Sequence, residues 1–267
     1  MITTQTPLTN EQIQAKAPSA FAGQPYEKQS DRYAFVPTAV VIDGMRQAGF
    51  LPVEAYQSRT RVPSKQFFTR HMIKFQTDTP IVALGDSLIE LSLLNSHDGT
   101  SCYELALGCK RLVCLNGLMV SSNLSEPVRV RHTGNIMDAV AAGTQQLLAD
   151  APKMAASIKQ WSEILLTPQE QIALAEAAHS IRFDEGSNAA LAIRPDMLLA
   201  SRRYADNGSD LWSVFNRIQE NVIKGRIRGR VAGRRVRSCS VEGINENVKL
   251  NRALWTLADK MAELKSE

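Results

Sequence analysis

Ser87-Leu88-Ile89-Glu90-Leu91-Ser92-Leu93-Leu94 runs into Asn95-Ser96-His97-Asp98-Gly99-Thr100, and Ser101 to Leu107 follows. Leu88, Glu90, Ser92 and Leu94 share one side of the first segment, and Ile89, Leu91 and Leu93 share the other. That period of two is the mark of a strand. Asp98-Gly99 supplies the reversal, because glycine tolerates the positive φ of a tight turn. Ser101 to Leu107 then returns as the partner strand. Outward from this hairpin, Leu51 to Arg61 and Phe67 to Gln76 read as earlier strands. Leu112 to Val120, broken by Asn116-Gly117, and Val128 to His132 read as later ones. Short connections between neighbours predict an antiparallel sheet.

Helical spacing flanks the strands. Thr38 is placed to cap a short helix with Val40, Val41, Met45 and Ala48 on one face and Gly49 at its end. After Gly134 the pattern predicts helices over Ile136 to Ala149 and Ala151 to Leu166. Thr167-Pro168-Gln169-Glu170 is a capping box with proline at the first helical position, and its helix runs to about Phe183. Pro195 opens a short helix. Asp210 caps another that buries Leu211, Val214, Phe215, Ile218 and Val222 and stops at Gly225, and Asn247 to Leu264 is the last. The fold class is α+β, with an N-terminal antiparallel sheet carrying an early helix and a C-terminal helical half. Residues 1–30 read as a loosely ordered segment, 31–133 as the strand-rich half and 134–267 as the helical half. This order of helix, meander and further helix is similar to that of single-strand annealing proteins.

Charge points to a partner. The chain carries a net charge of +4. Lys224, Arg226, Arg228, Arg230, Arg234, Arg235 and Arg237 fall within fourteen residues that include no Asp or Glu. Without those seven the remaining Lys and Arg would be outnumbered by the 27 acidic residues, so the whole basic excess sits in one segment. Gly225, Gly229 and Gly233 recur through it, which reads as a flexible loop able to drape along a phosphate backbone. A second acid-free stretch, Ala55 to Thr77, holds Arg59, Arg61, Lys65, Arg70 and Lys74. Arg59 and Arg61 would share strand parity, and Phe67 and Phe68 lie between the charges. Aromatic rings beside a cationic groove are how sequence-tolerant single-strand binders hold bases.

Composition excludes other classes. Hydrophobic residues make up 44% and charged residues 22%, so the chain can bury a core and is not a disordered tail. No apolar run approaches the ~20 residues of a membrane-spanning helix, and Met1 to Gln14 lacks the basic start and apolar middle of a secretory signal. The expected location is the cytoplasm. Cys102, Cys109, Cys114 and Cys239 form no C-x-x-C pair, so they read as reduced thiols and no metal or other cofactor is expected.

Four quoted stretches carry a family resemblance. They are Leu93 to Ser101; Arg111-Leu112-Val113-Cys114-Leu115-Asn116-Gly117-Leu118 with Val128 to His132; Asp210-Leu211-Trp212 with Phe215 to Asn221 and the basic segment; and Gly243 to Trp255. Together they resemble the phage- and plasmid-encoded family known as domain of unknown function 932, from about Leu8 to Glu263. The resemblance implies a mobile genetic element, often near recombination or plasmid-maintenance genes. It implies no activity and supplies no catalytic residue.

Other constellations are open to two readings. Glu90, Asp98 and Glu104 could serve a metal-dependent nuclease, but their spacing matches no nuclease motif, and His97-Asp98 reads as an exposed polar turn. Cys114 with His97 or His132 could form a thiol pair, although nothing in the sequence brings them together. Asn216, Asn221, Asn245, Asn247 and Asn251 bracket the basic segment, where they could meet a ligand or lock loops. The expected function is therefore binding of nucleic acid, single-stranded DNA first, in recombination or strand annealing, by a non-enzymatic protein that could form a homo-oligomer. A nuclease, and an adaptor or inhibitor of host defence with a protein partner, are the alternatives.

Overall fold

The computed structural model describes residues 6–26, 33–77, 87–111, 116–119 and 126–266. Contacts divide the chain into two compact units, Met1–Lys153 and Met154–Glu267.

In the first unit, α1 (Asn10–Lys16) starts at Thr9 with a full capping box involving Gln12, and α2 spans Thr38–Gln47. The strands are β1 (Phe50–Gln57), β2 (His71–Thr77), β3 (Ser87–Asn95), β4 (Tyr103–Arg111), β5 (Asn116–Met119) and β6 (Val128–Val130). They pair in the order β1-β2-β3-β4-β5, all antiparallel, and β6 also pairs with β4. The antiparallel sheet with an early helix thus stands as read from the sequence.

Register sorts the two faces. Ala55, Ile73, Leu93 and Leu105 lie abreast on one face and are buried. α3 (Ile136–Glu163) comes close to this face at Gly143, where an added Cβ would press on Val128 and Leu105. Where the sequence predicted two helices parted near Ala151, α3 is one helix that carries Pro152 inside it. Proline costs one internal hydrogen bond, which buried neighbours on both sides, Leu147, Ala151, Met154 and Ile158, offset by their burial.

The opposite face is charged and buried. Lys74 Nζ lies 3.5 Å from Glu54 and 3.6 Å from Glu90, and Lys110 Nζ reaches Glu54 at 2.5 Å. Gln76 donates to Glu90 at 2.7 Å and the Tyr56 hydroxyl to Glu54 at 2.7 Å. Burial alone would raise the Glu54 pKa. The Lys74 charge and the Lys110 hydrogen bond overcome it and hold Glu54 at about 2.

The second unit is helical. α4 (Pro168–Arg182) begins at Thr167 with the capping box to Glu170 that the sequence predicted. α5 (Asn188–Ala192), α6 (Leu211–Lys224) and α7 (Ile244–Ser266) follow. Trp161, Trp212, Phe215 and Trp255 interlock, with Trp161 and Trp255 centroids 4.4 Å apart. Every residue of α6 from Leu211 to Ile223 except Ser213 is buried, which makes α6 the axis of this unit.

A cationic hairpin as candidate nucleic-acid interface

The basic segment is not a loop. Arg228–Val231 (β7) pairs antiparallel with Arg234–Arg237 (β8) through a two-residue turn. Ala232 at φ 47° and Gly233 at φ 76° both take positive φ, the type I′ geometry whose twist matches a hairpin. The glycines that suggested flexibility serve specific contacts instead. A Cβ on Gly229 would overlap the Ala192 carbonyl at the end of α5. Gly225, at φ 57°, caps α6, and a Cβ there would overlap the Cys239 carbonyl.

The foot of the hairpin is stitched to α6. Arg226 N donates to Ser238 O at 2.8 Å, Ile227 N to Ser238 Oγ at 3.0 Å, and Val241 N to Ile223 O at 2.8 Å. Arg202 donates to the Gly225 carbonyl at 2.6 Å and to Asn221 Oδ1 at 2.9 Å, while Asn221 holds the Leu198 and Ala200 carbonyls. Gln219 donates to Asn251, which donates to Asn247. Asn216, Asn221, Asn247 and Asn251 thus lock the scaffold, with Asn216 bonded to the Trp212 carbonyl. Asn245 is exposed.

Register decides where the arginines point. Arg228 sits opposite Arg237, and Arg230 opposite Arg235, so these four share one face. Gly229, Val231, Arg234 and Val236 belong to the other. Arg226, Arg228, Arg230, Arg234, Arg235 and Arg237 are all exposed, and none has an ion-pair or hydrogen-bond partner for its guanidinium among the described residues. Like charges directly opposite each other on a strand pair destabilise it. Between the hairpin and α5 with residues 194–197 lies a cleft of about 850 Å³, lined by Arg228, Arg230, Arg235 and Arg237 together with Leu191, Arg194 and Met197. Tyr204 is 93% exposed and only two residues from Arg202, the residue bonded to the hairpin's foot.

Other basic residues of the sequence reading are placed differently. Lys224 ends α6 and pairs with Glu220 at 2.8 Å, and Arg203 pairs with the same carboxylate. Lys74 lies inside the charged network of the sheet, so it offers nothing to a polyanion. The acid-free stretch around it concealed Glu54 and Glu90, which are neighbours only across strands. Arg59 and Arg61 follow the end of β1 rather than continuing it, so strand parity does not align them. Both are exposed, whereas Lys65 and Arg70 are half-buried.

Glu90, Glu104 and Asp98 are not brought together. Glu90 binds Lys74, Glu104 binds Arg129 at 3.2 Å, and Asp98 accepts from Thr100 N at 3.1 Å and Thr100 Oγ1 at 2.6 Å. Among the described residues no three His, Cys, Asp or Glu side chains gather as a metal site. Cys109 is buried in the sheet, Cys102 half-buried and Cys239 exposed, and none of the three is in a disulfide; Cys114 lies outside the described residues.

His97 corrects the reading of an exposed turn, for it is fully buried. His71 and His97 both reach Thr38 Oγ1 with Nε2, at 2.9 and 3.0 Å, and Asn95 Nδ2 donates to the same oxygen at 3.1 Å. His71 Nδ1 lies 2.9 Å from Ser19 Oγ and 3.2 Å from the Thr69 carbonyl. The Thr38 hydroxyl accepts from Asn95 and has one proton to give, so one of the His71 and His97 Nε2 atoms donates to it while the other accepts from it, and His132 Nε2 donates to Asn95 Oδ1 at 2.9 Å. Thr38 therefore anchors a buried network rather than capping α2, whose N-cap is Pro37. Burial lowers all three histidines, His71 to about 4 and His97 to about 3, where its two imidazole neighbours add to the effect. No sequence signal finds this cluster, since Thr38, His71, His97 and His132 are far apart along the chain.

Two substitutions test these assignments. Thr38→Val removes the hydroxyl shared by His71, His97 and Asn95, so the Asn95 amide and one imidazole N–H are orphaned. A loss of about 2–4 kcal/mol in denaturant unfolding is expected; a loss within ~0.5 kcal/mol, the size of an ordinary surface change, would refute the network. Gly229→Ala forces the hairpin off Ala192. Amides of 226–238 should then exchange faster with deuterium while α6 keeps its protection, and unchanged exchange would mean the contact is dispensable.

The family described as "Domain of unknown function (DUF932)" matches residues 25–255. Two relatives from Escherichia coli (strain K12), "UPF0380 protein YfjQ" and "UPF0380 protein YafZ", are each 38% identical over 262 residues, covering 98% of this chain and 94% of theirs. No solved structure matches.

Proposed function

The chain belongs to the DUF932 family, and we propose that it binds nucleic acid, single strands foremost, through the arginine face of the β7–β8 hairpin. One observation carries this reading: four exposed guanidiniums, Arg228, Arg230, Arg235 and Arg237, face the same way with no carboxylate neutralising them among the described residues. A protein that places like charges opposite each other loses stability unless an anion intervenes. A row of guanidiniums fits a phosphate backbone, where each can offer paired donors and release a counterion. Tyr204, exposed and two residues from the Arg202 that holds the hairpin's foot, offers a ring on which a base can stack.

The reading extends to a mobile-element setting, to recombination or strand annealing as the process served, and to the cytoplasm as the location. It requires no bond-breaking step and no cofactor. Among the described residues no helix is long and apolar enough to cross a membrane. Fluorescence anisotropy with labelled single- and double-stranded DNA and RNA tests the proposal. Binding to single strands at micromolar protein, weakening steeply with salt, is expected. No binding at low salt would end this reading, and equally steep binding to an acidic protein would move it towards an adaptor.

A further inference from the structure

The first unit carries a surface of different character. A cleft of about 480 Å³ is lined by Gln14, Pro18, Phe21, Gln24, Phe67 and Phe68, with Ala22 and Gly23 completing its wall. Phe67 is 55% exposed although it is one of the most apolar residue types. Phe68 is half-buried against Tyr26, with ring centroids 5.4 Å apart, and the Phe68 carbonyl accepts from His97 N at 2.9 Å. The loop that presents Phe67 is therefore anchored. Gln14 and Gln24 are exposed, and their amides have no hydrogen-bond partner among the described residues. Among the described residues no Asp or Glu lines the cleft. Three cations lie close in sequence to its walls: exposed Lys16 and Arg61, and half-buried Lys65, whose ammonium lies 5.4 Å from the centroid of the Tyr26 ring.

We propose that this cleft takes an unpaired base of a single strand, stacked on Phe67. The proposal rests on the nucleic-acid reading above and adds to it a second site that tells single strands from duplex. The aromatic wall supplies the stacking surface that every base can use. The free amides supply one donor pair and one acceptor each, which suits the Watson–Crick edge of a base that has no partner. Lys16, Arg61 and Lys65 supply cations for the phosphates on either side. A base inside a duplex offers neither face nor edge, so paired DNA has no entry. The volume suits one nucleotide-sized ligand, within the usual range of ligand pockets.

Phe67→Ala is the test, because an exposed ring can be removed without touching the core, and circular dichroism checks that the fold is kept. Affinity for a single-stranded oligonucleotide should fall about ten-fold, the loss of one stacked base. The dependence on salt should not change, since no phosphate contact is lost. Affinity for duplex of the same sequence should not change either. A strand made only of abasic sites should bind the parent and the variant equally. Equal affinity of parent and variant for the normal single strand would overturn the proposal. So would unchanged affinity with an altered oligomeric state in sedimentation, which would assign the patch to a second copy of this chain. If hairpin variants lose binding while Phe67→Ala does not, this inference fails and the hairpin reading stands. If the parent binds no nucleic acid, both fail.

Discussion

Replacing Arg228, Arg230, Arg235 and Arg237 together by glutamine should flatten the plot of log affinity against log salt by close to three units. Each phosphate contact with a single strand contributes about 0.7 to that slope, and the hairpin face holds four guanidiniums. Extrapolated from 1 M to 0.1 M salt, such a change amounts to a loss of several hundred-fold in affinity. The fold should survive. None of the four is buried, and the carboxylates nearest in sequence have other partners: Glu220 with Arg203 and Lys224, Glu242 with Ser240, and Glu246 with Arg182. Arg234, which belongs to the opposite face, serves as an internal comparison: Arg234→Gln should cost less than any one of the four. A folded quadruple variant with an unchanged slope would show that the hairpin does not meet phosphate.

Acid should unfold the first unit. A neutral histidine buried in the folded state stabilises it at any pH above the ordinary imidazole value near 6.5. As pH falls below that value the unfolded chain gains protons that the folded chain cannot accept. The stability from His71 therefore declines from about pH 6.5 down to its folded value of about 4, and that from His97 down to about 3. Once pH is well below 4, His71 alone has cost on the order of 3 kcal/mol, a large share of a typical total of roughly 5–15 kcal/mol. Protonated His71 and His97 would both donate to Thr38 Oγ1, which already accepts from Asn95, so the network breaks rather than adjusts. Thermal unfolding followed from pH 7.5 to 4 should show a steep fall in midpoint, and imidazole resonances should titrate far below 6.5. A flat midpoint, or resonances titrating near 6.5, would contradict the buried network.

Local chemistry made much of the fold legible. The β3–β4 hairpin follows from alternation around Asp98-Gly99, and α4 and α6 from Thr167, Glu170, Asp210 and Gly225, all of which act within a few residues. The second hairpin was legible in principle. Arg228 and Arg230, then Arg235 and Arg237, alternate with smaller residues on either side of Ala232-Gly233, which is a two-residue hairpin pattern. Glycine frequency hid it, because Gly229 reads as flexibility when its reason, the Ala192 carbonyl, lies 37 residues away in sequence. Lys74 and His97 were misplaced for the same cause. Their surroundings come from other strands and from α2, and a window along the chain shows neither Glu54 and Glu90 nor Thr38.

On the proposed reading, the paired arginines of the β7–β8 hairpin set binding against thermal endurance. Arg228 against Arg237 and Arg230 against Arg235 repel while the surface is empty, and a polyanion laid between them removes the repulsion. Exchanging Arg230 for threonine, a strand-forming neutral residue, should make the unoccupied hairpin harder to melt while making it a poorer binder. A chain selected only to endure heat would lose these residues first, so their presence together marks a surface shaped for something other than its own stability.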